Sequence, residues 1–323
     1  MSLYDKLLDG IPIKTVGIWK NEPWGTYNLL PALAGIGELN YLAVPVDRNN
    51  CVKDRVAFSD KIFEYVEKIK PDLVYSYVRN RWVTAEPFLE IKKLGIPTIN
   101  LSMDDTHKFY LVADIAHAFT LNQTSAQSSI IRYVRNNAKA IYLPEGANPK
   151  IHAFSRINTE NKDIDVCFVG RRYGNRAAVI NTIKKDGFEV VVRGQGWPGG
   201  QASFEEMVDL YSRSKIVLGF SRTSSDYKTY SIKGRDFEVL MCGAFYMCEK
   251  NPELCDWFKP NNEIVFWDNI RDLLPKIRFY LKCEKRRQTI ACMGHFRAAT
   301  EHTWMDRFET LFWYLKEHLG IEN

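Results

Sequence analysis

A chain of 323 residues, 46% hydrophobic and 26% charged, has material for roughly two domains and buries large cores without disulfide or metal staples. Lys and Arg number 44 against 39 Asp and Glu, a net charge of +5 that suits an anionic ligand and demands neither nucleic acid nor a membrane surface. The longest apolar run, residues 239–248, falls short of the about 18 residues a membrane span takes, and MSLYDKLLDG holds no apolar signal core, so a cytoplasmic protein without a transmembrane segment is expected.

Short runs rich in β-branched residues then alternate with helical patterns. Strands are expected at 15–19, 41–46, 73–78, 97–102, 117–122 and 139–143, and helices at 27–35, 59–70, 85–94 and 125–135. Within 59–70, Ile62, Phe63, Val66 and Ile69 recur at helical spacing. The polar stretch 144–162, PEGANPKIHAFSRINTENK, reads as an interdomain linker. Alternation restarts with strands at 163–170, 188–194, 215–220, 244–248 and 263–267. Helices follow at 176–185, 204–212, 233–242, 252–258 and 269–281. Ser203 with Glu206 has capping-box spacing, and Asn251-Pro252 opens another helix. A last amphipathic helix at about 302–319 carries Trp304, Phe308, Leu311, Phe312, Leu315 and Leu319 on one face. The fold class is α/β, with two Rossmann-like domains of parallel strands: residues 1–146 and 147–323. Ligands of such sheets bind beyond the strand carboxyl ends.

Several chemistries are missing. There is no GxxxxGK[ST] phosphate loop, no GxGxxG after the first strand, no GxSxG elbow, no HExxH and no CxxC pair among the seven cysteines. Most of those cysteines read as reduced, buried thiols.

Candidate residues cluster at expected strand ends. Gly170 closes a strand and RRYGNR leads into a helix, so Arg171 and Arg176 either add charge-assisted bonds to a phosphate at a helix N-terminus or form a solvated basic turn. In RGQGWPGG, Gly196 permits close backbone approach and Trp197 either stacks on a base or closes a tight turn. In SIKGRDFEVLMCG, Lys233 and Arg235 stand at a helix start and Glu238 one turn in. The cations suit a diphosphate and the carboxylate suits two ribose hydroxyls, or all three are a solvated helix start. On the first domain, Trp24, Gly25 and Thr26 follow the first strand and line an acceptor side or form a turn. Asp104, Asp105 and His107 follow the fourth strand as candidate general bases, or as a helix cap with a surface histidine. His117 reads as structural at a strand start. The runs Arg132, Arg135, Lys139 and Lys285-Arg286-Arg287 read as solvated helix faces, with anionic partners as the alternative.

The segment 231–249, with DVCFVG before it and HTWMDRFETL after it, resembles the GT-B glycosyltransferases of the GT4-like kind, nearest the CgeB-related branch. The linker PEGANPKIHAF and the last helix resemble the same enzymes. The resemblance implies two facing Rossmann-like domains with an interdomain cleft. The acceptor would lie on residues 1–146 and the nucleotide-sugar donor on 147–323, with the last helix packing back on the first domain. It makes the donor a co-substrate, with no cofactor and no metal. Glu238, in EVLMCG, matches the second glutamate of the family's EAxAxG motif and by that likeness binds the donor ribose. Arg171, Arg176, Lys233 and Arg235 match the diphosphate side. The family's other glutamate, eight residues earlier, is replaced here by Tyr230, which leaves the sugar contact and the stereochemical outcome open. The acceptor is equally open: a glycan, a protein, a small molecule or modified DNA. So are two alternatives, a non-catalytic nucleotide-sugar-binding protein and a DNA-modifying glycosyltransferase.

Overall fold

The computed structural model describes residues 1–152, 162–223 and 229–321. The chain divides into two units, Gly146–Thr303 and a discontinuous one made of Met1–Glu145 and the segment from Trp304. Residues 153–161 of the expected linker lie outside the described residues. The part before them is no exposed tether: residues 143–148 are all buried.

In the first unit, six parallel strands form one sheet: β1 (Thr15–Lys20), β2 (Leu39–Val44), β3 (Leu73–Tyr77), β4 (Thr98–Ser102), β5 (Leu121–Thr124) and β6 (Ala140–Tyr142). Their order is β2-β1-β3-β4-β5-β6. Val16, Ile18, Val74, Ile62, Val66 and Phe88 share one core cluster, each such side chain worth about 1.5–3 kcal/mol when fully buried. The helix Arg55–Ile69 starts at Asp54, whose carboxylate accepts from the Ala57 N–H at 2.9 Å. It stops at Lys70 in the left-handed region. Pro45 lacks an N–H for a ladder, and β2 ends just before it rather than at Val46. The helix expected at 27–35 is two helices, Pro23–Tyr27 and Leu29–Ala34. Pro31 cannot donate to the Tyr27 carbonyl, so the chain breaks at Asn28. His117 lies outside β5, exposed in the 3-10 turn Ala116–Ala118. The Thr120 backbone N–H instead donates to the Thr98 hydroxyl at 3.0 Å, and the strand begins one residue later.

The helix Trp304–Leu319 belongs to this unit. Phe308 meets Tyr75 of β3 edge-on at 5.9 Å. Arg307 donates from Nε to the Pro144 carbonyl at 2.9 Å, and Lys316 pairs with Asp5 at 2.8 Å.

The second unit has a five-stranded parallel sheet: β7 (Ile164–Val169), β8 (Val190–Arg193), β9 (Ser214–Gly219), β10 (Tyr246–Glu249) and β11 (Val265–Trp267), in the order β11-β10-β9-β7-β8. Val166, Phe168, Ile180, Ile216, Leu218, Val265 and Ile277 form its core. Ser203 and Asn251 cap their helices as expected, accepting from the Glu206 and Glu253 N–H groups at 3.1 Å each. Ala147, at the entrance of the unit, bridges Thr303 at its exit in parallel, and its N–H donates to the His302 carbonyl at 2.9 Å. The run Lys285-Arg286-Arg287 is not wholly solvated. Arg287 is buried and donates to the Tyr280 and Leu281 carbonyls near the end of the helix Ile270–Lys282.

Among the described residues no helix is long and apolar enough to cross a membrane.

Candidate functional site

Each sheet changes winding direction once. In the second unit, β8 follows β7 on one side and β9 returns on the other, so the crevice lies between the carboxyl ends of β7 and β9. That is where ligands of open parallel sheets bind. Gly170 stands at the end of β7. Phe220, Ser221 and Arg222 stand at the end of β9.

Three expected cations meet here, with unequal freedom. Lys233 is the residue before the helix Gly234–Met241. Its ammonium donates to the carbonyls of Phe220, Ser221 and Ser231 at 3.1, 3.0 and 3.1 Å. All three protons are thereby spent on the loop's own backbone, and Lys233 fixes the crevice wall rather than presenting a free cation. Arg176 is 3% exposed. It donates to the carbonyls of Arg171 and Phe220 and to the Tyr173 hydroxyl, with its guanidinium 3.7 Å from the Tyr173 ring centre. Arg235 differs. Its guanidinium lies 5.2 Å from the Phe168 ring centre, and its Nη1 is buried with no hydrogen-bond partner among the described residues. A methyl group at Gly170 would stand 3.2 Å from both of its terminal nitrogens, so the glycine opens the space beside it.

The three charges strain one another. Burial pulls Lys233 down to about 8; Asp236 works against that, and Arg235 and Arg176 add to it. Burial, with Arg235 beside it, pulls Arg176 down to about 10. A site in which cations repel and one buried donor is orphaned gains from a bound anion. Asp236 does not supply the charge, since its carboxylate takes the Lys233 N–H at 2.9 Å and the Tyr246 hydroxyl at 2.6 Å.

Arg171 is exposed, as is Arg172, whose guanidinium is 5.6 Å from the Trp197 ring centre. The Trp197 indole N–H donates to the Gly170 carbonyl at 2.9 Å. Trp197 is thus tied to the end of β7, and it lines a groove of about 480 Å³ between the helix Arg176–Lys185 and β8. Gly196 stands at φ +86°, and a methyl group on it would come 3.2 Å from the Arg172 Cβ. Tyr230 is paired with Arg222 across an antiparallel bridge, the Arg222 guanidinium 5.4 Å from its ring centre. Arg222 is itself held by Glu249 at 2.7 Å. An aromatic ring therefore occupies the position where the resemblance would put a carboxylate.

Glu238 is in the second turn of the helix Gly234–Met241 and is 6% exposed. His152 faces it, the Nε2 atom 4.0 Å from Glu238 Oε1. Nothing in the spacing of PEGANPKIHAF singled this histidine out, because only the fold carries it to Glu238.

In the first unit the winding reverses between β1 and β3. Trp24, half-buried, meets Tyr77 and Trp304 edge-on, each at 6.1 Å. Gly25 lies against Trp19, where a methyl would come within 2.6 Å of the indole. Thr26 is exposed and donates back to the Glu22 carbonyl at 3.2 Å. Asp105 is no free base. It is buried, and its carboxylate accepts the hydroxyls of Ser102, Thr124 and Tyr133 at 2.5, 2.7 and 2.6 Å. Burial raises its pKa while those three bonds oppose the rise. Asp104 is partly exposed. Burial works to raise it, but Lys108 at 2.8 Å outweighs this and holds its carboxyl below the ordinary range, which makes it a weak base. His107 is half-buried beside Asp104. Among the described residues no group of three or more His, Cys, Asp or Glu is placed to hold a metal ion.

Residues 171–312 match the family described as glycosyl transferase-like. No curated protein matches the chain. Among solved structures, a glycosyltransferase from Rickettsia africae is similar at 12% identity and TM-score 0.67, over 95% of this chain and 99% of that one. The Anabaena protein HepE, crystallised with UDP and glucose, is similar at 11% identity and TM-score 0.62, over 94% of this chain and 100% of that one. A UDP-GlcNAc 2-epimerase from Neisseria meningitidis is similar at 12% identity and TM-score 0.57, over 93% and 98%. An epimerase and transferases thus share the architecture, so the fold alone does not choose the reaction. The two parallel-sheet units share the GT-B fold of these neighbours, and residues 171–312 carry the glycosyl transferase-like match.

Proposed function

We propose that the second unit holds a nucleoside-diphosphate sugar at the β7/β9 crevice and that the enzyme moves the sugar to an acceptor hydroxyl held by the first unit near Trp24. The observation that carries this is the buried Nη1 of Arg235 at the winding reversal, without a partner among the described residues. A diphosphate oxygen is the partner it lacks. Exposed Arg171 adds a second charge and Glu238 takes the ribose hydroxyls, with Arg176 and Lys233 holding the walls. Neighbours of this fold crystallised with UDP, or with UDP and glucose, support a nucleotide donor.

In transfer the bond from the anomeric carbon to the diphosphate breaks as the acceptor oxygen bonds to that carbon; negative charge grows on the leaving diphosphate, whose oxygen takes the proton the acceptor hydroxyl gives up. Donors fixed in advance beside that charge stabilise it without reorganising. Here the donor is a guanidinium backed by the Phe168 ring and by a helix N-terminus. The proposed reaction takes no metal.

Calorimetric titration of UDP, GDP and ADP tests the reading. Wild-type protein binds one of them, and Arg235→Ala weakens it about 10- to 100-fold, the worth of one charge-assisted bond of roughly 1.5–3 kcal/mol. With the matching nucleotide sugar, the wild type releases the nucleoside diphosphate in the presence of a chelator. Equal affinity in wild type and Arg235→Ala would overturn the assignment.

A further inference from the structure

His152 is 0% exposed and outside every role given so far. Two features fix its ring. Phe204, the first residue of the helix Phe204–Arg213, meets it edge-on at 5.2 Å. The turn from Asn148 to His152 folds back so that Asn148 N–H points at His152 Nδ1, 3.2 Å away. The Asn148 carbonyl also lies near Nδ1, at 3.0 Å. That carbonyl already accepts the backbone N–H groups of Ile151 and His152, at 3.1 and 2.8 Å. The Asn148 N–H has Nδ1 as its acceptor. This balance makes Nδ1 the acceptor and puts the ring proton on Nε2.

Nε2 is buried, has no hydrogen-bond partner among the described residues and lies 4.0 Å from Glu238 Oε1. An unspent N–H in a dry site costs about 1–3 kcal/mol. The gap to Glu238 is about 1 Å longer than a hydrogen bond, so the bond forms only if the carboxylate shifts toward the ring. Burial lowers the pKa of His152 against the pull of Glu238, so the ring stays neutral at pH 7.

We infer that His152 is a positioning residue for the donor: its Nε2–H locks Glu238 in the rotamer that accepts the ribose hydroxyls. One carboxylate oxygen accepts from His152 and the other from the sugar ring of the nucleotide. The histidine touches no substrate. By holding the carboxylate that accepts the ribose hydroxyls, it lets the enzyme distinguish ribose from deoxyribose. This rests on the reading of Glu238 as the ribose ligand.

The test compares whichever of UDP, GDP or ADP binds best with its 2′-deoxy counterpart and with inorganic pyrophosphate, by calorimetry. His152→Phe keeps the ring against Phe204 and deletes the donor. His152→Gln puts an amide N–H where Nε2–H was. His152→Phe is expected to weaken the ribonucleotide about 10-fold, leave pyrophosphate unchanged and bring the ribo-to-deoxyribo affinity ratio close to one. His152→Gln restores most of that ratio. If the ratio is lost in Glu238→Ala but kept in His152→Phe, the histidine proposal alone falls. If His152→Phe weakens all three ligands equally, its role is structural and the proposal falls as well. If wild type shows no preference for ribose, or binds none of these ligands, the reading of Glu238 fails and takes this proposal with it.

Discussion

Side chains of one charge do three different jobs in the β7/β9 crevice. Lys233 holds three carbonyls, Arg176 is packed into the wall, and Arg235 keeps an unspent donor. The sequence makes these cations look equivalent, because charge and spacing do not reveal which protons the backbone consumes. For the same reason Asp105 reads as a base when it is a hub for three hydroxyls, and His152 goes unnoticed. The lowered pKa of Lys233 gives a directional test. Burial, with Arg235 and Arg176 beside it, brings its ammonium down to about 8. A bound diphosphate offsets the repulsion from Arg235 and Arg176, raises that pKa and draws a proton onto the lysine. Nucleoside diphosphate binding at pH 8 is therefore accompanied by net proton uptake, and affinity tightens as pH falls from 9 to 7. Titration in buffers of different ionisation enthalpy reads this directly. Net proton release would contradict the arrangement.

The elements themselves were largely legible, because parallel strands buried on both faces read as short β-branched runs and the intervening helices carry their own caps. Expectation and structure part where a local rule outweighs periodicity. Pro31 splits one helix into two, Pro45 ends a strand early, and Thr98 with Thr120 delays β5 past His117. The segment 143–148 is polar in part yet buried, since its own carbonyls at Pro144 and Glu145 accept from Arg307. One loop joins element to site. Gly194, at φ +135°, passes so close to the end of β7 that a methyl on it would come 2.2 Å from the Gly170 carbonyl oxygen. Gly194→Ala should cost about 3 kcal/mol or more through backbone strain and collision, and it should displace Gly170 from beside Arg235. Thermal unfolding together with nucleotide titration checks both halves. A variant of unchanged melting temperature and unchanged affinity would show that the turn yields freely.

At the scale of the molecule, the helix Trp304–Leu319 completes the first unit from the far side of the second in sequence. Phe308, Leu311, Phe312 and Leu315 are buried to within 1%. Phe308→Ala should destabilise by about 3–5 kcal/mol, and the loss should be confined to the unit that owns the helix. Hydrogen exchange would then speed up along β1, β3 and β4 while β7 and β9 keep their protection. Equal acceleration of both sheets would mean the two units unfold as one.

The clasp between Ala147 and Thr303 has a consequence for biogenesis. It brings the two ends of the inserted stretch side by side, so that stretch is self-contained once the ribosome has passed Thr303. The older half of the nascent polypeptide still waits, with Tyr75 and its neighbours uncovered, until the closing helix emerges. A message cut short near that codon would release a product whose later-made half is finished and whose earlier-made half is left open to chaperones and proteases.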